Sequence, residues 1–367
     1  MLARHRQAGV SIALFAGALL SACAPIRPDI PRARLGCLPF PGPMTLYHTA
    51  DTSNFGEHCY GPYRVDLSTP EEERGIVYTR RAGFLDLAHL REAVDWTRYV
   101  RGLAVRALQE RRAEVRFMTF EETGIVLALH YPEWWDGAED AERRAIIDEA
   151  AMRIGQRSAM LIGTWHEIVT WYGWRTFAFV DERGSSFTYE DEASHLVGLR
   201  VARRAIEDSS RGYDDAVTAA IVAEFDDLGI VPTACARRAV MSVEGRWWSN
   251  GVAIRRNLDT GLDGAPVTPW TVGPLDCCDE QAVASLIVPT LENVRGRDLA
   301  GLVEFRLEPS PWLMSRLYGK GAPVRPLDAR ADIAALIERV RADFKAEYGP
   351  LADTPAPADP SQDRLGI

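Results

Sequence analysis

The chain has 367 residues, 47% of them hydrophobic, with 52 acidic against 42 basic side chains and a formal net charge of −10. That is ample apolar material for one large domain or two smaller ones. It excludes a nucleic-acid partner, because neutralising phosphates needs clustered Lys and Arg, and the Arg pairs here (Arg80-Arg81, Arg111-Arg112, Arg143-Arg144, Arg203-Arg204, Arg237-Arg238) are dispersed among acids.

Arg4, His5 and Arg6 precede an apolar run over 10–20 that ends in Leu20-Ser21-Ala22-Cys23. This order predicts a bacterial lipoprotein signal, cut before Cys23, whose thiol then carries lipid. The run is too short to cross a bilayer, which takes about 20 residues. The expected anchor is therefore acyl chains, worth about 0.8 kcal/mol per buried methylene. Losing Arg4 and Arg6 takes the charge from −10 to −12. Ala24 follows the cysteine, with no Asp there to suggest inner-membrane retention, so the expected address is the outer membrane, periplasmic face. With Cys23 lipidated, Cys37, Cys59, Cys235, Cys277 and Cys278 remain, an odd number in a compartment that permits disulfides. Cys37–Cys59 is the expected bridge, since it would staple an irregular segment, and without Cys-x-x-Cys no cysteine zinc site is expected.

The expected organisation is a signal over 1–22, a Pro-rich lipidated tether over 23–45, a globular domain over 46–349 and a disordered tail over 350–367. Leu87, Leu90, Val94, Leu103, Ala107 and Leu108 recur at helical spacing behind Asp86, a good N-cap, predicting a helix over 86–112. Val115, Phe117 and Thr119, then Ile125, Leu127 and Leu129, alternate on either side of a Glu121-Glu122-Thr123-Gly124 turn and predict a β-hairpin. Helices follow over 139–157 and 158–173, with one bent helix as the alternative, then a short strand over 177–180. Thr188 with Asp191 three residues on marks the start of a helix over 188–208. Further helices are expected over 214–228, closed by Gly229, over 232–243 and over 331–348, with β-like runs such as 302–306 between them. The class is α+β: a mainly helical single globular body with a small β-hairpin and short strands.

Three histidines sit beside acids in helical segments. Asp86 and His89 are three apart and share a helix face, His166 adjoins Glu167, and His195 follows Glu190-Asp191-Glu192. Imidazoles from three helices converging on Zn²⁺ would leave one position for water, with His89, His166 and His195 as ligands and Glu167 as general base. The comparison with His-Glu-x-x-His fails at Thr170, so the further ligands must come from other helices. Acid–base chemistry without metal would use His166 with Glu167 or Glu192. A catalytic Cys59 with His130 or His166 is a weaker alternative, because Cys59 fits a disulfide. Each residue also has a purely structural account: Asp86 as N-cap, His166 as a core histidine among Trp165, Ile168, Val169 and Trp171, and His195 paired with the acid run.

Ten tryptophans, with doublets at Trp134-Trp135 and Trp247-Trp248, support a binding reading, since exposed rings stack on sugars; one ring of each doublet is expected to be exposed.

Gly75-Ile76-Val77-Tyr78-Thr79, the 83–91 stretch, Asp95-Trp96-Thr97, the 166–173 stretch and Ser186-Phe187-Thr188-Tyr189-Glu190-Asp191 carry a resemblance. Over about residues 36–345 the chain resembles the bacterial lipoprotein family called domain of unknown function 4056. That resemblance implies an envelope address and no particular activity. The expectation is a cell-envelope lipoprotein whose molecular function the sequence does not name; if it is an enzyme, the reading favoured is a metal-dependent hydrolase acting in the periplasm. The alternative is a non-catalytic envelope binding or scaffolding lipoprotein, with the membrane as partner through its lipid and an envelope polysaccharide or protein as ligand.

Overall fold

The computed structural model describes residues 30–42, 46–61, 65–66 (backbone only), 71–176, 182–279 and 281–355. Cys23, its signal and the strand expected over 177–180 lie outside the described residues. Among the described residues, seven helices and several small sheets form an α+β body.

Strand β1 (Ala33–Arg34) pairs in parallel with β2 (Val65–Asp66). Strands β3 (Ile76–Thr79) and β4 (Gly83–Asp86) form an antiparallel hairpin that runs straight into helix α1 (Leu87–Gln109). Asp86 is the N-cap: its side chain accepts from the Ala88 N–H, satisfying one of the orphan donors of the first turn. Strands β5 (Glu114–Met118) and β6 (Gly124–Leu129) are the expected hairpin, with Val115 and Phe117 inward and Glu114, Arg116 and Met118 outward. Strand β9 (Val303–Glu308) joins β6, and β10 (Leu327–Asp328) joins β9, giving an antiparallel sheet ordered β10-β9-β6-β5.

Helix α2 (Asp140–Trp171) is continuous over 32 residues, where the sequence also allowed two. From Ile154 onward every residue except Arg157 and His166 is buried, which marks a central helix rather than a surface helix with one apolar stripe. Helix α3 (Asp191–Glu207) and α1 both pack on it and on each other, and α4 (Tyr213–Leu228), closed by Gly229 in the left-handed conformation, packs on α3. Helix α5 (Thr233–Ser242) lies against β3, and α7 (Ala331–Tyr348) against α2. Strands β7 (Trp248–Ser249) and β8 (Val252–Ala253) form a two-residue hairpin, and α6 (Pro311–Tyr318) starts at a Ser310 cap.

Two glycines set how closely the central helices approach. A Cβ on Gly155 of α2 would stand 2.5 Å from the Thr97 carbonyl oxygen of α1, and one on Gly198 of α3 would stand 2.5 Å from the Leu90 carbonyl oxygen. Alanine normally favours a helix over glycine by about 1 kcal/mol. Here the obstacle is backbone, which cannot rotate away, and overpacking costs about 1–3 kcal/mol. Gly155→Ala is therefore expected to lower stability by about 1–2 kcal/mol in urea unfolding. A stabilised variant would mean the helices separate freely.

Several expectations need correction. Cys37 and Cys59 are free thiols, and the disulfide is Cys235–Cys277. The reason is local: the Cys37 N–H is held by Asp86 at the head of α1, while the Cys59 N–H is held by Glu72. Both rings of Trp247-Trp248 are buried, in a second core with Phe40, Tyr78, Phe84 and Tyr189. In the other doublet Trp135 is buried, and the Arg297 guanidinium lies 4.8 Å from the centre of the half-buried Trp134 ring. Residues 30–42 of the expected tether pack onto the body, with Ile30, Arg32 and Phe40 buried. Residues 350–355 also dock, the Ala352 carbonyl accepting from the Arg256 N–H.

Candidate metal centre

The heads of α1 and α3 meet the last third of α2, and this junction gathers the acids and imidazoles singled out in the sequence. Asp86 is fully buried; its Oδ2 accepts from the Cys37 N–H, and its own N–H donates to Ser194 Oγ at 2.8 Å. Ser194 donates in turn to the Glu190 carbonyl at 2.6 Å, so it ties α1 to α3 rather than serving as a nucleophile. One turn into α1, His89 Nδ1 meets Asp191 Oδ1 at 3.1 Å, close enough for an ion pair but off hydrogen-bond geometry. A Cβ on Gly36 would stand 2.7 Å from His89 Nε2, so the N-terminal segment walls the ring from the other side. Glu167 enters from α2, its Oε2 accepting from the Phe187 N–H at 2.7 Å.

One ligand atom from each of His89, Glu167 and Asp191 lies within 4.8 Å of the other two. Zinc with bonds of about 2.0–2.2 Å holds its ligand atoms about 3.5 Å apart, so the three side chains need only close slightly. The ring centres of His89 and His195 are 5.4 Å apart. His195 is buried, its Nδ1 without a hydrogen bond and 3.9 Å from Glu192 Oε2. His166 points elsewhere: its Nδ1 bonds Glu121 Oε1 at 2.8 Å, and its side chain is 30% exposed. All three expected histidines nevertheless line one cavity of about 20 Å³, with Glu92, Glu121, Trp96 and Phe120. That volume holds about one water molecule. Thr170, where a second motif histidine would sit, donates to the His166 carbonyl at 2.6 Å.

The electrostatics are those of an acid cluster removed from water. Asp86, Glu167, Glu190, Asp191 and Glu192 are all at most 2% exposed. Burial, reinforced by the Asp191 charge, pushes the Glu167 carboxyl up to about 8, and burial with neighbouring acids raises Glu190 and Glu192 well above the carboxylate range. Burial pulls the His89 imidazole down, but the charges of Asp86 and Asp191 outweigh it and leave it raised. Burial likewise opposes protonation of His166, yet the bond to Glu121 holds it at about 9. Burial, with the charges of His89 and His166, depresses His195.

Glu190 Oε2, Asp191 Oδ1, both Glu192 oxygens, His89 Nδ1 and His195 Nδ1 are buried without a hydrogen-bond partner. Proteins leave few such atoms, and imidazole nitrogens and carboxylate oxygens are donors that could hold a cation.

Sequence reasoning missed Asp191 as a candidate ligand, because Thr188 with Asp191 three residues on reads as a helix-capping pair. It also missed Glu121, a turn acid with no distinguishing pattern. Buried Arg256 was missed too; it donates to the Ser186 and Gly184 carbonyls and lies within the field of Asp191 and Glu167. One signal was present: Asp86-x-x-His89 and Glu192-x-x-His195 repeat the same acid-to-histidine spacing on two helices.

Fold and site together define a mainly helical α+β protein with a buried histidine–carboxylate cluster at a three-helix junction. A family model described as "Protein of unknown function (DUF4056)" matches residues 22–257, more than half the chain, and the chain belongs to that family. The match contains every residue of the cluster, from Asp86 to Arg256. No curated protein and no solved structure matches the chain.

Proposed function

We propose that the protein is a divalent-metal-dependent hydrolase of the bacterial cell envelope, tethered by lipid on Cys23 to the periplasmic face of the outer membrane. The observation that carries the reading is the approach of His89, Glu167 and Asp191 ligand atoms to within 4.8 Å, among buried polar atoms that nothing else satisfies. Imidazole and carboxylate donors suit Zn²⁺, which would act as a Lewis acid on a substrate carbonyl or phosphoryl oxygen and on water. In this reading Glu167, expected as general base, serves as a ligand, supported by its approach to His89 and Asp191. His166, oriented by Glu121 and the most exposed of the three histidines, is the group positioned to move a proton between the cavity and solvent. The cavity admits about one water molecule, so an envelope substrate would be met at the His166 side. The alternative, a non-catalytic sugar-binding or scaffolding lipoprotein, rested on exposed Trp doublets, and burial of Trp247 and Trp248 removes half of that support.

Elemental analysis of the purified protein after gel filtration is expected to find at least one equivalent of zinc. His89→Ala should lose it, together with any hydrolysis of chromogenic ester and phosphoester panels or of isolated envelope polymer. Protein that stays metal-free in micromolar zinc would sink the reading. Cys23→Ser is expected to move the protein from the membrane to the soluble fraction; membrane retention would remove the lipid anchor.

A further inference from the structure

The three ligands of the first ion leave much of the cluster unused. Glu192 and His195 stand one turn apart on α3, as Asp86 and His89 do on α1, and both Glu192 oxygens and His195 Nδ1 are buried without hydrogen bonds. The His195 ring is seated against Gly163 of α2, where a Cβ would stand 2.6 Å from its Cε1 and 2.8 Å from both ring nitrogens. A larger residue there would expel the ring, so the backbone leaves room for this imidazole at the wall of the cavity.

Asp86, Glu167, Glu190, Asp191 and Glu192 amount to five buried carboxyls, with Glu92 on the wall of the adjoining cavity, while Glu121 is matched by His166. Arg256 is a buried cation whose field reaches Asp191 and Glu167. One dication would offset only part of this acid cluster once its carboxyls ionise, and a second would offset more.

We infer that the junction is a two-ion centre, in which His195 and Glu192 of α3 hold a second divalent cation beside the one held by His89, Glu167 and Asp191. Ring centres 5.4 Å apart for His89 and His195 accommodate two ions about 3.5–4 Å apart, the separation used by two-metal hydrolases. This rests on the metal-centre reading above and extends it from one ion to two.

The test uses the full chain, stripped with chelator, loaded with excess Zn²⁺ or Mn²⁺ and passed through gel filtration. Wild type is expected to retain two equivalents. His195→Ala, Glu192→Gln and Gly163→Ala should each retain one, with far-UV circular dichroism unchanged. In the Mn²⁺ form, wild type should give an exchange-coupled paramagnetic resonance spectrum, and the three variants the six-line signal of isolated ions. Saturation of wild type at one equivalent overturns the second ion and leaves the metal-centre reading intact. No bound metal overturns both. Two equivalents retained by all three variants would overturn the assignment to His195 and Glu192.

Discussion

Metal-free protein is expected to melt about 5 °C or more below the zinc-loaded protein, and Asp191→Asn is expected to erase that gap. A ligand that binds only the folded state at 100 times its Kd stabilises by about 2.7 kcal/mol, and each kcal/mol moves the midpoint of a chain somewhat shorter than this one by about 2–4 °C. Asp191 is the candidate ligand to change because its Oδ1 is buried, without a hydrogen bond, and only 3.1 Å from His89 Nδ1. The same substitution acts differently without metal. There it relieves repulsion among five buried carboxyls but gives up the charge 3.1 Å from the His89 ring, so the effects oppose and the metal-free midpoints of variant and wild type are expected to lie close together. Scanning calorimetry of both proteins, with chelator and with excess zinc, gives all four midpoints. A variant that gains as much from zinc as wild type does would end the role of Asp191 as a ligand.

What the sequence disclosed follows from how one-sided each segment is. Helices α1, α4 and α7 show apolar residues at helical spacing, with Asp86 opening α1 and Gly229 closing α4, and the hairpin of β5 and β6 alternates cleanly because one face meets the core. The hairpin of β3 and β4 did not announce itself, since both four-residue strands are buried on both faces and show no alternation. For the same reason the sequence left open whether α2 was one helix or two. At the site, the three histidines were legible as isolated acid–imidazole neighbours, and the fold brings all of them to one cavity. Which atoms approach within ligand distance was not legible. That depends on the crossing of α1 with α2 and α3, set by Gly155 and Gly198, and on Gly36 and Gly163, which leave room for the His89 and His195 rings. A glycine that matters through the side chain it does not carry has no periodic signature.

The N-terminal segment supplies the other large expected effect. Arg34→Met is expected to destabilise the fold by about 3–5 kcal/mol, because removing one partner strands buried charges. The Arg34 guanidinium reaches Glu72 Oε2 and Asp95 Oδ2, both at 2.9 Å, and His58 Nε2 lies 3.0 Å from Asp95 Oδ1. Arg32 adds a 2.5 Å contact to Glu72 Oε1, and Arg91 closes the group through His58 and the Phe55 carbonyl. The side chains of Arg32, His58, Glu72, Arg91 and Asp95 are at most 2% exposed, so solvent screens little of this. Burial alone would raise Glu72, yet Arg34 and Arg91 hold its carboxyl at about 2, below the ordinary 4.5. A depressed acid contributes stability that is complete above pH 4.5 and is lost as the pH falls toward 2. At about 1.36 kcal/mol per unit, that is about 3 kcal/mol. His58, which burial depresses below its ordinary 6.5, works in the same direction, with stability lost as the pH falls below that value. Urea unfolding from pH 7 to 3 should therefore show a steep acid limb in wild type and a flatter one in Arg34→Met, from a lower plateau. The lock also bears on the site. The Arg34 N–H is held by Glu92, Gly36 abuts His89, and the Cys37 N–H donates to Asp86, so freeing Arg34 loosens one wall of the candidate metal centre. Arg34→Met is accordingly expected to weaken zinc binding at temperatures where it remains folded, by calorimetric titration. Unchanged affinity would confine residues 32–37 to holding the fold.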